Sequence, residues 1–171
     1  KTAYGVYDGL VGAEMGIRDR GDEALAAELA AGREVVGLLI GIPDWARDRR
    51  GLPRGLALPA DDPDNTWAVF VAQAVGRYAG RIDRWIIWNE PDIDDPDAPG
   101  HTWDGDIEQF AQLQRVAYLA AKSANPDAVV HLGAFTYFWD PGYFDRLLDI
   151  LASGPAARMS SRRSKEPGSP K

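Results

Sequence analysis

The stretch "RIDRWIIWNEPDIDDPD", residues 81–97, carries an aromatic and β-branched segment straight into Asn89-Glu90-Pro91 and then into a loop crowded with aspartates. A short apolar run of this kind, closed by a proline, reads as a strand buried on both faces of a parallel sheet. Two further runs share the pattern, "EVVGLLIG" at 34–41 and "AVVHLGAFTY" at 128–137.

The segments between these runs are helical in period. Trp67, Phe70, Val71, Ala74, Val75 and Tyr78 form one apolar stripe and predict a helix over 65–79, capped by Asp64 or Asn65 and ended at Gly80. Asp106 with Gln109 forms a capping-box pattern, opening a helix that carries Ile107, Phe110, Ala111, Ala117, Tyr118 and Ala121 and stops before Pro126. Asp140-Pro141 reads as the cap and first residue of another helix, with Phe144, Leu147, Leu148 and Leu151 on one face. Ahead of the first strand, "DEALAAELAAGR" at 22–33 is a helix with a glycine stop. Strands alternating with helices imply βαβ units, right-handed crossovers and an α/β fold.

Both ends break this order. Residues 1–21 hold five glycines without a sustained period and stay unplaced. From Gly154 the tail 154–171 is basic and rich in Pro and Ser, with too little apolar surface to offset ordering, so it reads as disordered. The ordered domain is thus 22–153.

Composition narrows the function. A net charge of −7 argues against a nucleic-acid partner, because phosphate binding relies on clustered Lys and Arg. The chain has no Cys, which removes disulfides, thiol catalysis and thiolate zinc sites. No apolar run approaches the roughly 18 residues of a membrane span. No signal peptide is read at the start, which is Lys1, and the compartment stays open.

"WIIWNEPDI" resembles the acid/base motif of retaining glycoside hydrolases built on (β/α)8 barrels, where Asn-Glu-Pro ends the fourth strand. "VVGLLIGIPDWA" is similar to the third strand of family 39 and family 5-like members, and "YLAAKSANPDAVVHLGAFTY" to their fourth helix and fifth strand. The resemblance covers residues 22–152. It implies a partial (β/α)8 TIM barrel holding about strands 3 to 5, an O-glycosyl hydrolase ancestry, a carbohydrate substrate and no cofactor or metal. Relatives of this kind are often secreted.

The resemblance also assigns roles. Glu90 matches the general acid/base, placed at the carboxyl end of a barrel strand where it faces the site. Asn89 matches the residue that donates a hydrogen bond to the sugar 2-hydroxyl. Trp45, Tyr137 and Trp139 lie just past strand ends, where they either form the aromatic walls of a sugar site or pack in the core. Trp88, two residues before Glu90, shares its side of the strand and carries the same two readings. His101 and Trp103 either close over a substrate or belong to a surface loop.

A retaining mechanism needs a second carboxylate, which this clan takes from strand seven. Glu14, Glu23, Glu28, Glu34, Glu108 and Glu166 fall in the unplaced start, in helices, at a strand entrance or in the tail. The chain therefore reads as the middle of a barrel, as a truncated gene, a frameshift or a degraded copy would produce, and alone it is expected to be inactive. Its open sheet edges predict self-association. The alternatives are a non-catalytic carbohydrate-binding or interaction module and a non-functional truncated product. Asp92, Asp94, Asp95 and Asp97 fail the EF-hand pattern and read as a solvated acidic rim.

Overall fold

The computed structural model describes the backbone of residues 2–8 and 15–163 and the side chains of residues 22–154. Four strands form one parallel sheet: β1 (Thr2–Asp8), β2 (Glu34–Ile40), β3 (Arg84–Asn89) and β4 (Val129–Ala134), in the order β1-β2-β3-β4. The helices are α1 (Met15–Ala30), α2 (Thr66–Tyr78), α3 (Ile107–Ala124) and α4 (Tyr143–Arg163).

Sequential order and right-handed crossovers put all the helices on one side of the sheet. Their mutual packing agrees: Asp22 of α1 pairs with Arg77 of α2 at 2.5 Å, α2 packs on α3, and α3 on α4. The covered face holds Leu39, Trp85 and Ile87, all inaccessible to solvent. Full burial of a large apolar side chain is worth about 1.5–3 kcal/mol, so this layer is the main source of stability. On the opposite face Leu38, Ile86 and His131 lie in register across β2, β3 and β4 and remain partly or fully exposed.

The segment left unplaced by sequence contains a strand. β1 pairs with β2 along its whole length, from Thr2 opposite Glu34 to Asp8 opposite Ile40. Gly5 interrupts its apolar run, which is why no period shows. In register, Gly5 lies opposite Gly37 and Gly37 opposite Trp85. A Cβ on Gly37 would stand 2.4 Å from the Trp85 ring, so this row trades two side chains for one large indole.

The helix caps follow the expected chemistry. Asn65, rather than Asp64, caps α2: its side chain accepts from Ala68 N–H at 3.1 Å and donates to the Leu58 carbonyl at 3.0 Å. The Asp106–Gln109 capping box opens α3 in both directions. Asp140 accepts the Gly142 N–H at 3.2 Å, and α4 begins at Tyr143, two residues later than expected. α1 starts seven residues before the expected 22. Gly154 breaks α4 (φ 48°, ψ 165°), whose backbone continues to Arg163; of the tail expected to be disordered, 164–171 lie outside the described residues.

The β3–β4 ladder is interrupted at Trp88, whose φ of 72° turns it out of strand geometry. Gln114, buried on α3, donates to the Ile87 carbonyl beside this break at 2.9 Å. Gly133 of β4 allows the distorted β3 backbone to come close, since a Cβ there would meet the Trp88 and Ile87 carbonyl oxygens at 2.7 and 2.8 Å. Backbone cannot rotate away as a side chain can. Gly133→Ala is therefore expected to cost about 1–3 kcal/mol, read as a lower urea midpoint at unchanged slope. An unchanged midpoint would show that β3 is free to move.

Candidate functional site

Parallel strands with one-sided helices deliver all their carboxyl ends to one rim, which is where barrel folds carry chemistry. At that rim β3 ends in Asn89 and Glu90, β2 leads into Trp45 on a short 3-10 turn (Asp44–Ala46), and β4 leads into Thr136, Tyr137, Phe138 and Trp139.

Glu90 has φ 51°, in the left-handed region that a non-glycine residue enters only at a cost. Its N–H donates to the Ala134 carbonyl at 2.7 Å, tying it to the end of β4. Glu90 and Asn89 are both half-buried. A Cβ on Gly100 would lie 3.5 Å from Glu90 Oε2, which places the carboxylate against the loop that returns over the strand end. Among the described residues no hydrogen bond or ion pair engages that carboxylate. Glu90 is thus a half-buried carboxyl on strained backbone that faces the loop without a partner.

The loop folds back through Thr102, a residue that sequence reasoning did not single out. Its hydroxyl donates to the Asn89 carbonyl at 2.6 Å and accepts from Trp88 Nε1 at 3.0 Å. Trp88 is itself only 2% exposed, wedged edge-on between Trp67 and Trp103 with ring centroids 5.7 and 5.4 Å away. It is a core residue, not a pocket wall. Its left-handed φ breaks the strand alternation that would have set it beside Glu90. Trp103 is likewise buried.

His101 is a loop staple. Its Nδ1 lies 2.8 Å from the Ile93 carbonyl and its Nε2 3.2 Å from Asp104 Oδ1, so both ring nitrogens are occupied within the loop. Desolvation works against its charge, but the Ile93 carbonyl and the Asp104 carboxylate outweigh it and raise the pKa above the ordinary value.

The acidic run is not a uniform solvated rim. Asp92 is only 2% exposed, and its carboxylate accepts from the N–H and hydroxyl of Thr136 and from the Tyr137 N–H. Asp94, at the surface, accepts the Trp139 indole N–H at 2.6 Å. Asp95 and Asp97 are exposed. Nothing in an aspartate run distinguishes the one that is buried. Trp45, Tyr137 and Trp139 are all exposed at the rim, and so is Phe138 between the last two.

A cleft of about 430 Å³ lies behind the loop, between it and the start of α4. Its walls include Asp92, Asp94, Asp104, Asp106, Asp140 and Arg146, but neither Glu90 nor Asn89. Each of these aspartates is already hydrogen-bonded: Asp140, for example, pairs with Arg146, whose hydrogen bond holds its carboxyl below the usual range. Among the described residues no group of three side chains could hold a metal ion. Nor is any helix long and apolar enough to cross a membrane.

No protein-family model matches the sequence, and no curated protein matches it. Solved structures are similar in fold. A GH10 xylanase from termite gut containing a bacterial Ig-like domain superposes with a TM-score of 0.55 at 20% identity, over 88% of this chain and 34% of that one. The fold is a partial (β/α)8 barrel. The GH53 catalytic domain of Ignisphaera aggregans also matches, with TM-score 0.40 and 23% identity over 77% of this chain and 38% of that one. The chain spans about a third of the length of the structures it matches.

The His101 contacts carry a pH dependence. Because the folded pKa is raised, the stability that charged His101 lends the loop is full below its ordinary value of 6.5 and is lost as pH rises through the folded value. The imidazole resonance that disappears in His101→Gln should titrate above 6.5, and Asp104→Asn should lower its midpoint. Protection factors of the loop amides, corrected for base-catalysed intrinsic exchange, should be lower at about pH 8 than at about pH 5.5. A midpoint at or below 6.5 would contradict the staple.

Proposed function

We propose that this chain is the acid/base-bearing part of a retaining glycoside hydrolase of the Asn-Glu-Pro type, related to families 39 and 5, acting on a carbohydrate. Glu90 protonates the glycosidic oxygen as the bond to the anomeric carbon breaks, and Asn89 hydrogen-bonds the sugar 2-hydroxyl. Aromatic residues at the rim receive the apolar faces of sugar rings. The observation that carries the reading is Glu90 itself: an uncommitted, half-buried carboxylate on left-handed backbone at the carboxyl end of a barrel strand. Fold similarity to a barrel xylanase supports it at the level of architecture.

Double displacement also needs a nucleophilic carboxylate about 5–5.5 Å from the acid. Among the described residues, Glu23 and Glu28 lie on α1, Glu108 on α3, and Glu34 at the opposite end of the sheet, where it pairs with Arg84. None can take that role. Residues 1–171 alone should therefore release no product from aryl glycosides above the buffer rate, and the bare edges of β1 and β4 should promote association with further strands. Product release that Glu90→Gln abolishes would contradict the missing nucleophile. When barrel strands carrying a glutamate at strand seven are supplied in trans, retaining hydrolysis should appear. Glu90→Gln should then slow alkyl glycosides by about 10²–10⁴-fold, with much less effect on dinitrophenyl glycosides, whose leaving group needs no proton.

A second reading is favoured by the exposure of Trp45, Tyr137, Phe138 and Trp139 on one rim: a carbohydrate-binding module without turnover. Calorimetric sugar binding that survives Glu90→Gln and falls with Trp45→Ala would select it.

A further inference from the structure

We infer that Asp92, with Asp94 beside it, is a positioning residue that clamps the aromatic loop after β4 to the segment that presents Glu90. The inference rests on the carbohydrate reading of the rim for its consequence, but not for its geometry. A carboxylate removed from water is tolerated only when its oxygens are satisfied. Asp92 meets that condition entirely from the neighbouring strand end. Thr136 N–H lies 3.1 Å from Oδ1 and 3.0 Å from Oδ2, Thr136 Oγ1 donates to Oδ2 at 2.6 Å, and Tyr137 N–H donates to Oδ2 at 3.1 Å. Two successive backbone N–H groups converging on one anion form a nest, and here the anion is a side chain two residues past Glu90.

The residues so held are strained. Tyr137 sits at φ 60°, a left-handed conformation costly for a bulky residue, and its N–H is one of those that Asp92 captures. Two residues further along each segment the pattern repeats, with Asp94 Oδ1 accepting Trp139 Nε1 at 2.6 Å. Asp92 and Asp94 thus grip residues 136–137 and 139. Phe138 between them is left 92% exposed, its ring 6.3 Å from that of Tyr137. A single short segment both ends in the acid and sets the aromatic surface that a sugar would meet. Glu90 and this surface are therefore fixed relative to each other before any ligand arrives, which removes an ordering cost from binding.

The test uses the full chain with 3-fluorotyrosine at its six tyrosines, read by 19F NMR. The Tyr137 resonance is assigned by its loss in Tyr137→Phe, and that of Tyr78, buried at the end of α2, reports the core. In Asp92→Asn the Tyr137 resonance should move to the position of free fluorotyrosine and sharpen while Tyr78 stays. Thr136→Val, which removes only the hydroxyl bond, should give a smaller shift in the same direction. An unmoved Tyr137 resonance beside an intact Tyr78 resonance overturns the clamp. If Asp92→Asn loses the Tyr78 resonance as well, Thr136→Val decides: a shift at Tyr137 supports the clamp and no shift overturns it. Xylotetraose supplies the second arm, and Asp92→Asn should weaken its binding by about tenfold. If the wild-type chain binds no xylotetraose while Tyr137 still responds to Asp92→Asn, the clamp stands and the carbohydrate reading fails.

Discussion

The handedness of the strand–helix–strand connection governs this molecule. Four parallel strands taken in sequential order, each joined by a right-handed crossover, can place their helices only on one side. That constraint makes Leu39, Trp85 and Ile87 a dry layer against α2 and α3 and leaves Leu38, Ile86 and His131 looking outward. It also sends every strand's carboxyl end to the same rim. Parallel sheets are ordinarily covered on both faces, so a sheet wound in one direction is completed by closing on itself. The similarity to a barrel xylanase over 34% of that protein is the same constraint seen from outside.

The rim is built from distortions that the regular fold makes affordable. Trp88, Glu90 and Tyr137 all have left-handed backbone, and each is held by a specific partner. Trp88 is locked by Trp67, Trp103 and the Thr102 hydroxyl, Glu90 by the Ala134 carbonyl, and Tyr137 by Asp92. Gly133 gives the bent strand room. Such strain persists only where the surroundings over-determine it, and it concentrates where geometry serves function. The uncommitted carboxylate of Glu90 stands in contrast to the satisfied carboxylates around it.

What was legible in the sequence is what depends on period and caps. β2, β3 and β4, the stripe of α2 and the Asp106–Gln109 box all follow from local pattern, and the Asn-Glu-Pro motif marked the rim. β1 was not legible, because Gly5 breaks a seven-residue run whose meaning lies in its pairing with Gly37. Trp88 was misplaced because alternation presumes extended backbone, and a φ of 72° rotates the side chain into the core. Asp92 looked like its exposed neighbours Asp95 and Asp97, since its burial comes from Thr136 and Tyr137, 44 and 45 residues away. Long-range satisfaction of a polar group leaves no trace in a local window.

The central claim is that the carboxyl-end rim, with Glu90 at its centre, is the surface that meets carbohydrate. Amide chemical-shift mapping of the full chain against a panel of oligosaccharides of different sugars and linkages tests it most directly. The account expects the largest shifts at residues 41–45, 89–103 and 134–139, growing with saccharide length. Shifts gathered at the opposite end of the sheet, around 33–34, 82–84 and 126–129, or no shifts at all, would contradict it.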